Sequence, residues 1–178
     1  NNTTPTPKPK KSVLKVTVSS LTLQKKQKTA ALKVYGMVKG DFVKSVTSEN
    51  KNKVKVTSFT KTGKITLQAQ KQTGKTTITI RLANGAKKNI TVKVQAGKVR
   101  TSKISIGRTA KVRKGKKATL KPSLTPVTSQ EKVTYASSNK KIVTVTSKGV
   151  IKGIRPGKAK ITVRSGKKKV VVTVTVTK

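Results

Sequence analysis

The chain has 178 residues, of which 44 are Lys or Arg and three are acids (Asp41, Glu49 and Glu131), a formal net charge of +41. It contains no Cys and no His, and only 2% of it is aromatic. That inventory rules out a disulfide framework and argues against zinc sites, clustered-carboxylate calcium sites and acid–base catalysis by His or paired carboxylates.

No enzyme, metal or cofactor is therefore expected. A charge of this size reports on partners and solubility rather than on fold, so a polyanionic partner is the first inference.

Residues 1–11, Asn1-Asn2-Thr3-Thr4-Pro5-Thr6-Pro7-Lys8-Pro9-Lys10-Lys11, read as an extended, polyproline-like linker. Such an opening, with no signal peptide, leads us to expect a piece of a longer secreted protein. Beyond it the apolar residues alternate with Thr and Lys, as in Ile78-Thr79-Ile80, Ile90-Thr91-Val92-Lys93-Val94 and Val172-Thr173-Val174-Thr175-Val176. Alternation puts one set of side chains on each face of a strand. Folded β-structure is expected even though high charge with few aromatics often accompanies disorder. No apolar run approaches the ~20 residues that cross a bilayer.

An internal repeat organises the rest. Ser48-Glu49-Asn50-Lys51-Asn52-Lys53-Val54-Lys55-Val56 lies on Ser137-Ser138-Asn139-Lys140-Lys141-Ile142-Val143-Thr144-Val145 without a gap. Gly63-Lys64-Ile65 then matches Gly149-Val150-Ile151, and Gly74 to Ile80 matches Gly157 to Val163. Two copies of one module fill 12–96 and 99–178, with Gln95-Ala96-Gly97-Lys98 between them. In the second copy, strands are expected near 103–106, 109–112, 117–121, 132–137, 142–146, 149–153, 158–164 and 169–177. Short strands at this spacing predict an all-β sandwich or barrel.

The run Tyr135-Ala136-Ser137-Ser138-Asn139, then Ile142-Val143-Thr144-Val145, Gly149-Val150-Ile151-Lys152-Gly153 and Gly157-Lys158-Ala159-Lys160-Ile161 resembles the bacterial immunoglobulin-like domain of group 2. The first copy follows the pattern less closely. Val46 replaces the aromatic, the Gly63-to-Gly74 stretch is longer, and no glycine matches Gly153. The resemblance implies two tandem Ig-like β-sandwich domains joined by a short linker, used as a spacer, stalk or adhesive module of a bacterial surface protein. Tyr135 is expected to fill the core between the sheets. Gly149, Gly153 and Gly157 are expected at tight turns or close backbone approaches.

Catalytic-looking fragments dissolve on inspection. Gly74-Lys75-Thr76 has Ala69 where a phosphate-binding loop needs its first glycine, and a strand follows it. Ser12-Val13-Leu14-Lys15 and Lys61-Thr62-Gly63 are chance matches in a Lys- and Thr-rich chain. Tyr35, Phe42, Phe59 and Tyr135 are too few for an aromatic platform under a neutral glycan.

The lysines remain. A spacer needs solubility, which acids supply at least as well. Lysine is a mobile point charge, suited to a flexible, repetitive anion rather than one shaped pocket. The candidate cations are Lys25, Lys26, Lys28, Lys51, Lys53, Lys55, Lys87, Lys88, Lys111, Arg113, Lys114, Lys116, Lys117, Lys140, Lys141, Lys167, Lys168 and Lys169. The expected partner is an anionic cell-wall polymer such as teichoic or lipoteichoic acid, held by an extracellular, monomeric, wall-associated module. Arrival at Lys178 without a sorting signal fits attachment by charge, as an expectation. Two alternatives stand beside it: an adhesin or stalk segment meeting heparin-like glycans or DNA, and a carbohydrate-binding accessory of a polysaccharide-degrading enzyme.

Overall fold

A computed structural model describes residues 12–178, and no helix occurs among the described residues. The expected linker over 1–11 lies outside them. The chain divides into two compact units, the first ending at Gly97 and the second spanning Lys98–Lys178.

The first unit contains β1 (Lys15–Val16), β2 (Ser20–Gln24), β3 (Lys28–Thr29), β4 (Val34–Tyr35), β5 (Val43–Ser48), β6 (Val54–Phe59), β7 (Ile65–Ala69), β8 (Gly74–Leu82) and β9 (Lys87–Gln95). Its sheets run β2-β9-β8-β5 and β3-β7-β6, with a β1-β4 pair. The second unit contains β10 (Lys103–Ser105), β11 (Thr109–Arg113), β12 (Lys117–Thr119), β13 (Ser123–Thr125), β14 (Val133–Ser137), β15 (Val143–Val145), β16 (Val150–Gly153), β17 (Gly157–Ser165) and β18 (Lys168–Thr177). Its sheets run β11-β18-β17-β14 and β12-β16-β15, with a β10-β13 pair. Strand for strand, the order is the same.

Alternation builds both cores. In β8 and β9, Ile78, Ile80, Leu82, Ile90, Val92 and Val94 are at most 1% exposed and meet Val54, Ile65 and Leu67. In β17 and β18, Ile161, Val163, Val172, Val174 and Val176 meet Val143 and Ile151. Each such aliphatic side chain contributes about 1.5–3 kcal/mol on burial. The alternate positions of the same strands carry Thr, Lys and Arg into solvent. In each unit the first and last long strands pair in parallel, β2 with β9 and β11 with β18, which ties the two ends of the domain together. Parallel neighbours need a long crossover; here almost the whole domain is the crossover.

Registers correct the sequence alignment of the repeat. The glycine turns do correspond, since the Gly63 N–H donates to Thr60 O as the Gly149 N–H donates to Thr146 O. Along the strands, however, Val56 faces Leu67 where Val145 faces Ile151, and Val54 faces Ala69 where Val143 faces Gly153. The first hairpin is longer by the rungs Ser58↔Thr66 and Phe59↔Ile65, with a bulge between Val56 and Ser58. Leu67, not Ile65, is therefore the core counterpart of Ile151, and Ala69 stands in the place of Gly153.

That place is tight in the second unit. A Cβ on Gly153 would lie 2.7 Å from Arg113 O and 2.9 Å from a Val176 methyl. Gly149 turns with φ +77°, a left-handed conformation that favours glycine, and a Cβ there would meet the Tyr135 ring at 2.8 Å.

Tyr135 does not fill the space between the sheets. It sits on the edge strand β14, half-buried, and packs against the margin of the core; burial pushes its phenol pKa up. The short strand β13 was also missed by the sequence reading. Its three residues stand between Pro122 and Pro126, too few for alternation to register.

Candidate functional site

The outer face of each four-stranded sheet is set by the same period-two logic that builds its core. In the second unit the rungs place Lys111 opposite Thr175 and Thr175 opposite Lys158. The next rung carries Thr109, Thr173 and Lys160, a third carries the uncharged Val171, Thr162 and Ala136, and a fourth carries Lys169, Arg164 and Thr134. Arg113 closes the edge beside Thr177. Six cations thus share one face: Lys111, Arg113, Lys158, Lys160, Arg164 and Lys169, all exposed. Neighbouring strands lie about 4.8 Å apart and alternate residues about 6.6 Å apart. The pairs Lys111 and Arg113, Lys158 and Lys160, and Arg164 and Lys169 are thereby spaced within a Debye length, about 8 Å at physiological ionic strength, along one continuous face.

The first unit repeats the plan. Thr22, Lys93 and Lys75 form one rung, and Lys87, Arg81 and Ser45 form another, with Thr77, Thr79 and Thr91 between them. On the three-stranded sheets, Lys28 and Lys55 flank Gln68, and Lys117 and Thr144 flank Lys152.

No acid neutralises these faces, because each acid is engaged in holding the fold. Asp41 Oδ1 accepts from the Phe42 and Asn84 N–H groups, and the Ser12 hydroxyl beside it is the chief cause holding its carboxyl below the usual range. Glu49 accepts from the Thr77 N–H at 3.3 Å. Glu131 accepts from the Thr101 N–H at 2.7 Å and lies 3.9 Å from Arg100.

Of the cations singled out in the sequence, seventeen are exposed. Lys53 is half-buried, and its Nζ donates to Lys75 O at 3.0 Å, so this ammonium is committed to the fold. Lys111, Arg113 and Lys169 share one sheet face, with Lys169 towards its opposite end. Lys25, Lys26, Lys114 and Lys116 lie in the turns after β2 and β11, whereas Lys28 and Lys117 begin β3 and β12. Lys51, Lys140 and Lys141 lie in the turns before β6 and β15. Lys87 and Lys88 open β9, and Lys167 and Lys168 lie at the β17–β18 turn. Sequence reasoning missed Lys75, Arg81, Lys93, Lys158, Lys160 and Arg164. It grouped charges adjacent in the chain, whereas a sheet groups charges two residues apart and one strand over.

The exposed aromatics form no shared platform. Tyr35 lies in the β1-β4 pair and Phe59 in the β3-β7-β6 sheet, while Phe42 is half-buried beneath Lys61 Nζ at 5.1 Å from the ring centre. Among the described residues no group of His, Cys, Asp or Glu could hold a metal ion, and no helix is long and apolar enough to cross a membrane.

Residues 100–176 match the family model of the bacterial Ig-like domain (group 2). No curated protein is significantly similar to the chain. Among solved structures, the S-layer protein SbsC domains 4 and 5 is similar at 22% identity, with 83% of this chain and 82% of that one covered and a TM-score of 0.41. The longer S-layer protein rSbsC(31–844) is similar at 24% identity and a TM-score of 0.40. There the match takes in 82% of this chain but only 22% of the S-layer chain. Drosophila N-cadherin EC1-3 is similar at 10% identity over 89% of this chain and 64% of its own, with a TM-score of 0.43.

Proposed function

We propose that this chain, whose residues 100–176 form a group 2 bacterial Ig-like domain, is a non-catalytic module that attaches a bacterial surface protein to anionic cell-wall polymers such as teichoic or lipoteichoic acid. The observation that carries the reading is the outer face of β11-β18-β17-β14, where six cations stand on a rigid sheet with no acid among them. Bringing such charges together has a cost that a bound polyanion removes, and counterion release adds to the attraction. Threonine between the lysines supplies hydroxyl groups for hydrogen bonds without demanding a particular ligand shape.

The test replaces Lys111, Lys158, Lys160 and Lys169 with Gln and measures co-sedimentation with purified cell walls at physiological ionic strength. The reading requires a steep loss of binding. Retention at the level of the unaltered chain would assign attachment to something other than these faces.

A further inference from the structure

The two units share a hollow at equivalent places, on the open side of the sandwich between the outer strands of its two sheets. In the second unit it measures about 390 Å³ and is lined by Tyr135, Ala136, Ser137, Lys140, Thr144 and Val145. In the first unit it measures about 330 Å³ and is lined by Val46, Thr47, Ser48, Lys51, Lys55 and Val56. Residue for residue these are the same positions of the repeat. What differs is the chemistry, since Lys55 replaces Thr144 and Val46 replaces Tyr135.

In the first unit a second hollow, about 420 Å³, adjoins the first and shares Lys51 and Lys55 with it. Its other walls are Asn52, Gln70, Lys71 and Gln72. The backbone fixes this arrangement, because Gln70 N donates to Lys53 O at 2.7 Å and Gln72 N donates to Asn52 O at 3.4 Å. The segment bearing Lys71 is thereby laid against the turn bearing Lys51. Three exposed ammonium groups and three side-chain amides line one continuous trough. The neighbouring charged groups face elsewhere: Glu49 accepts from Thr77 N, and Lys53 donates to Lys75 O. Beyond the trough the cationic track continues over Gln68 to Lys28, about 9.6 Å from Lys55 across two strand spacings.

The second unit does not repeat this lining. By the same backbone bond, from Ile154 N to Ile142 O, the places of Gln70, Lys71 and Gln72 are taken by Ile154, Arg155 and Pro156. Ile154 is 39% exposed and offers an apolar surface where the first unit has an amide.

We propose that the trough of the first unit is the seat for a phosphodiester-linked polyol chain, with Lys51, Lys55 and Lys71 on the phosphates and the amides of Asn52, Gln70 and Gln72 on the hydroxyl groups. This rests on and sharpens the reading of the chain as a binder of anionic wall polymer. Lysine is a point charge that tolerates the turning phosphates of a flexible chain. A primary amide both donates and accepts, which matches a hydroxyl group, whereas a sulfate only accepts and leaves the amide carbonyl without a donor. The closely matched copy keeps the general charge, and the diverged copy carries the selective site.

The experiment compares two triple variants of the full chain with equal loss of charge: K51Q/K55Q/K71Q in the trough, and K33Q/K39Q/K64Q elsewhere on the first unit. All six lysines are exposed, and melting curves verify that both variants fold. The probes are a synthetic poly(glycerol phosphate) oligomer and a heparin-derived oligosaccharide of equal charge, titrated at physiological ionic strength. The trough variant is expected to lose roughly tenfold or more in affinity for the polyol phosphate, against about twofold for the other. For the heparin fragment, both variants are expected to lose the same small factor. Equal losses on the polyol phosphate would overturn the seat and leave attachment by charge standing. A loss on heparin as large as that on the polyol phosphate would overturn the selectivity. Failure of the unaltered chain to bind either probe, even at low salt, would sink the underlying reading together with the seat.

Discussion

Replacing Arg164 with Glu should make the second domain more stable while making it a poorer binder. Arg164 on β17 is directly opposite Lys169 on β18, both exposed, with Thr134 on its other side. Directly opposed side chains start about 5 Å apart. At that separation two unit charges in water repel by about 0.8 kcal/mol before screening. Physiological salt leaves roughly half of this. R164E turns the repulsion into attraction of similar size, so the gain is about 1 kcal/mol. For a domain of this size that corresponds to a rise in Tm of about 4–8 °C. R164Q, which removes the repulsion without adding attraction, should gain about half as much. Calorimetry at about 0.01 M and at about 1 M salt separates charge from packing, because screening over ~3 Å at the higher salt leaves little of the effect. A Tm for R164E that is unchanged or lower in dilute buffer would refute the claim that the face is electrostatically strained. So would a gain that persists undiminished in concentrated salt.

Three further outcomes follow from the geometry. Ser137 Oγ donates to Val143 O at 2.7 Å and accepts from Asn139 N, whereas its counterpart Ser48 Oγ is shut off from solvent without a partner among the described residues. Chemical denaturation should therefore show S137A losing about 1–2 kcal/mol and S48A losing nothing or gaining slightly. G153A forces a methyl group onto Arg113 O and Val176, so it should cost about 1–3 kcal/mol, while the reverse change A69G in the longer hairpin should leave a small void and cost about 1 kcal/mol. Asp41 has its pKa lowered in the fold, so its contribution is present above the unfolded value near 4 and is lost as pH falls through the lower, folded one. Melts of the first domain in acid should show this loss in the unaltered chain, less of it in S12A, and none in D41N.

Much of the architecture can be read from a single physical period. Val, Ile and Leu alternating with Thr and Lys in 76–82, 90–94, 158–164 and 170–176 announce strands with one buried face, and the structure places those apolar residues in the two cores. The glycine turns were legible too, because Gly63 and Gly149 close equivalent hairpins. Hairpin length was not. Adding the rungs Ser58↔Thr66 and Phe59↔Ile65 preserves the alternation, so a gapless alignment at the turn puts Ile65 where the register puts Leu67. Tyr135 is expected in the core because the pattern it resembles carries an aromatic there, but it lies half-buried on the edge strand β14. Charge was the least legible feature. Lys167, Lys168 and Lys169 are neighbours in the chain, yet Lys169 shares its sheet face with Arg164 opposite it on β17 and with Lys111 further along the adjacent strand β11. The list of cations was visible in the sequence, but their grouping required the strand registers.

Attachment by charge is tested most directly by sedimenting the chain with intact walls, walls stripped of phosphate polymers, and immobilised heparin and DNA across a series of salt concentrations. The account predicts strong retention on intact walls in dilute buffer and release by about 0.5 M salt, as counterion release loses its force. Stripped walls should hold little of the chain at any salt. Equal retention on stripped walls, or binding that survives molar salt, would contradict it.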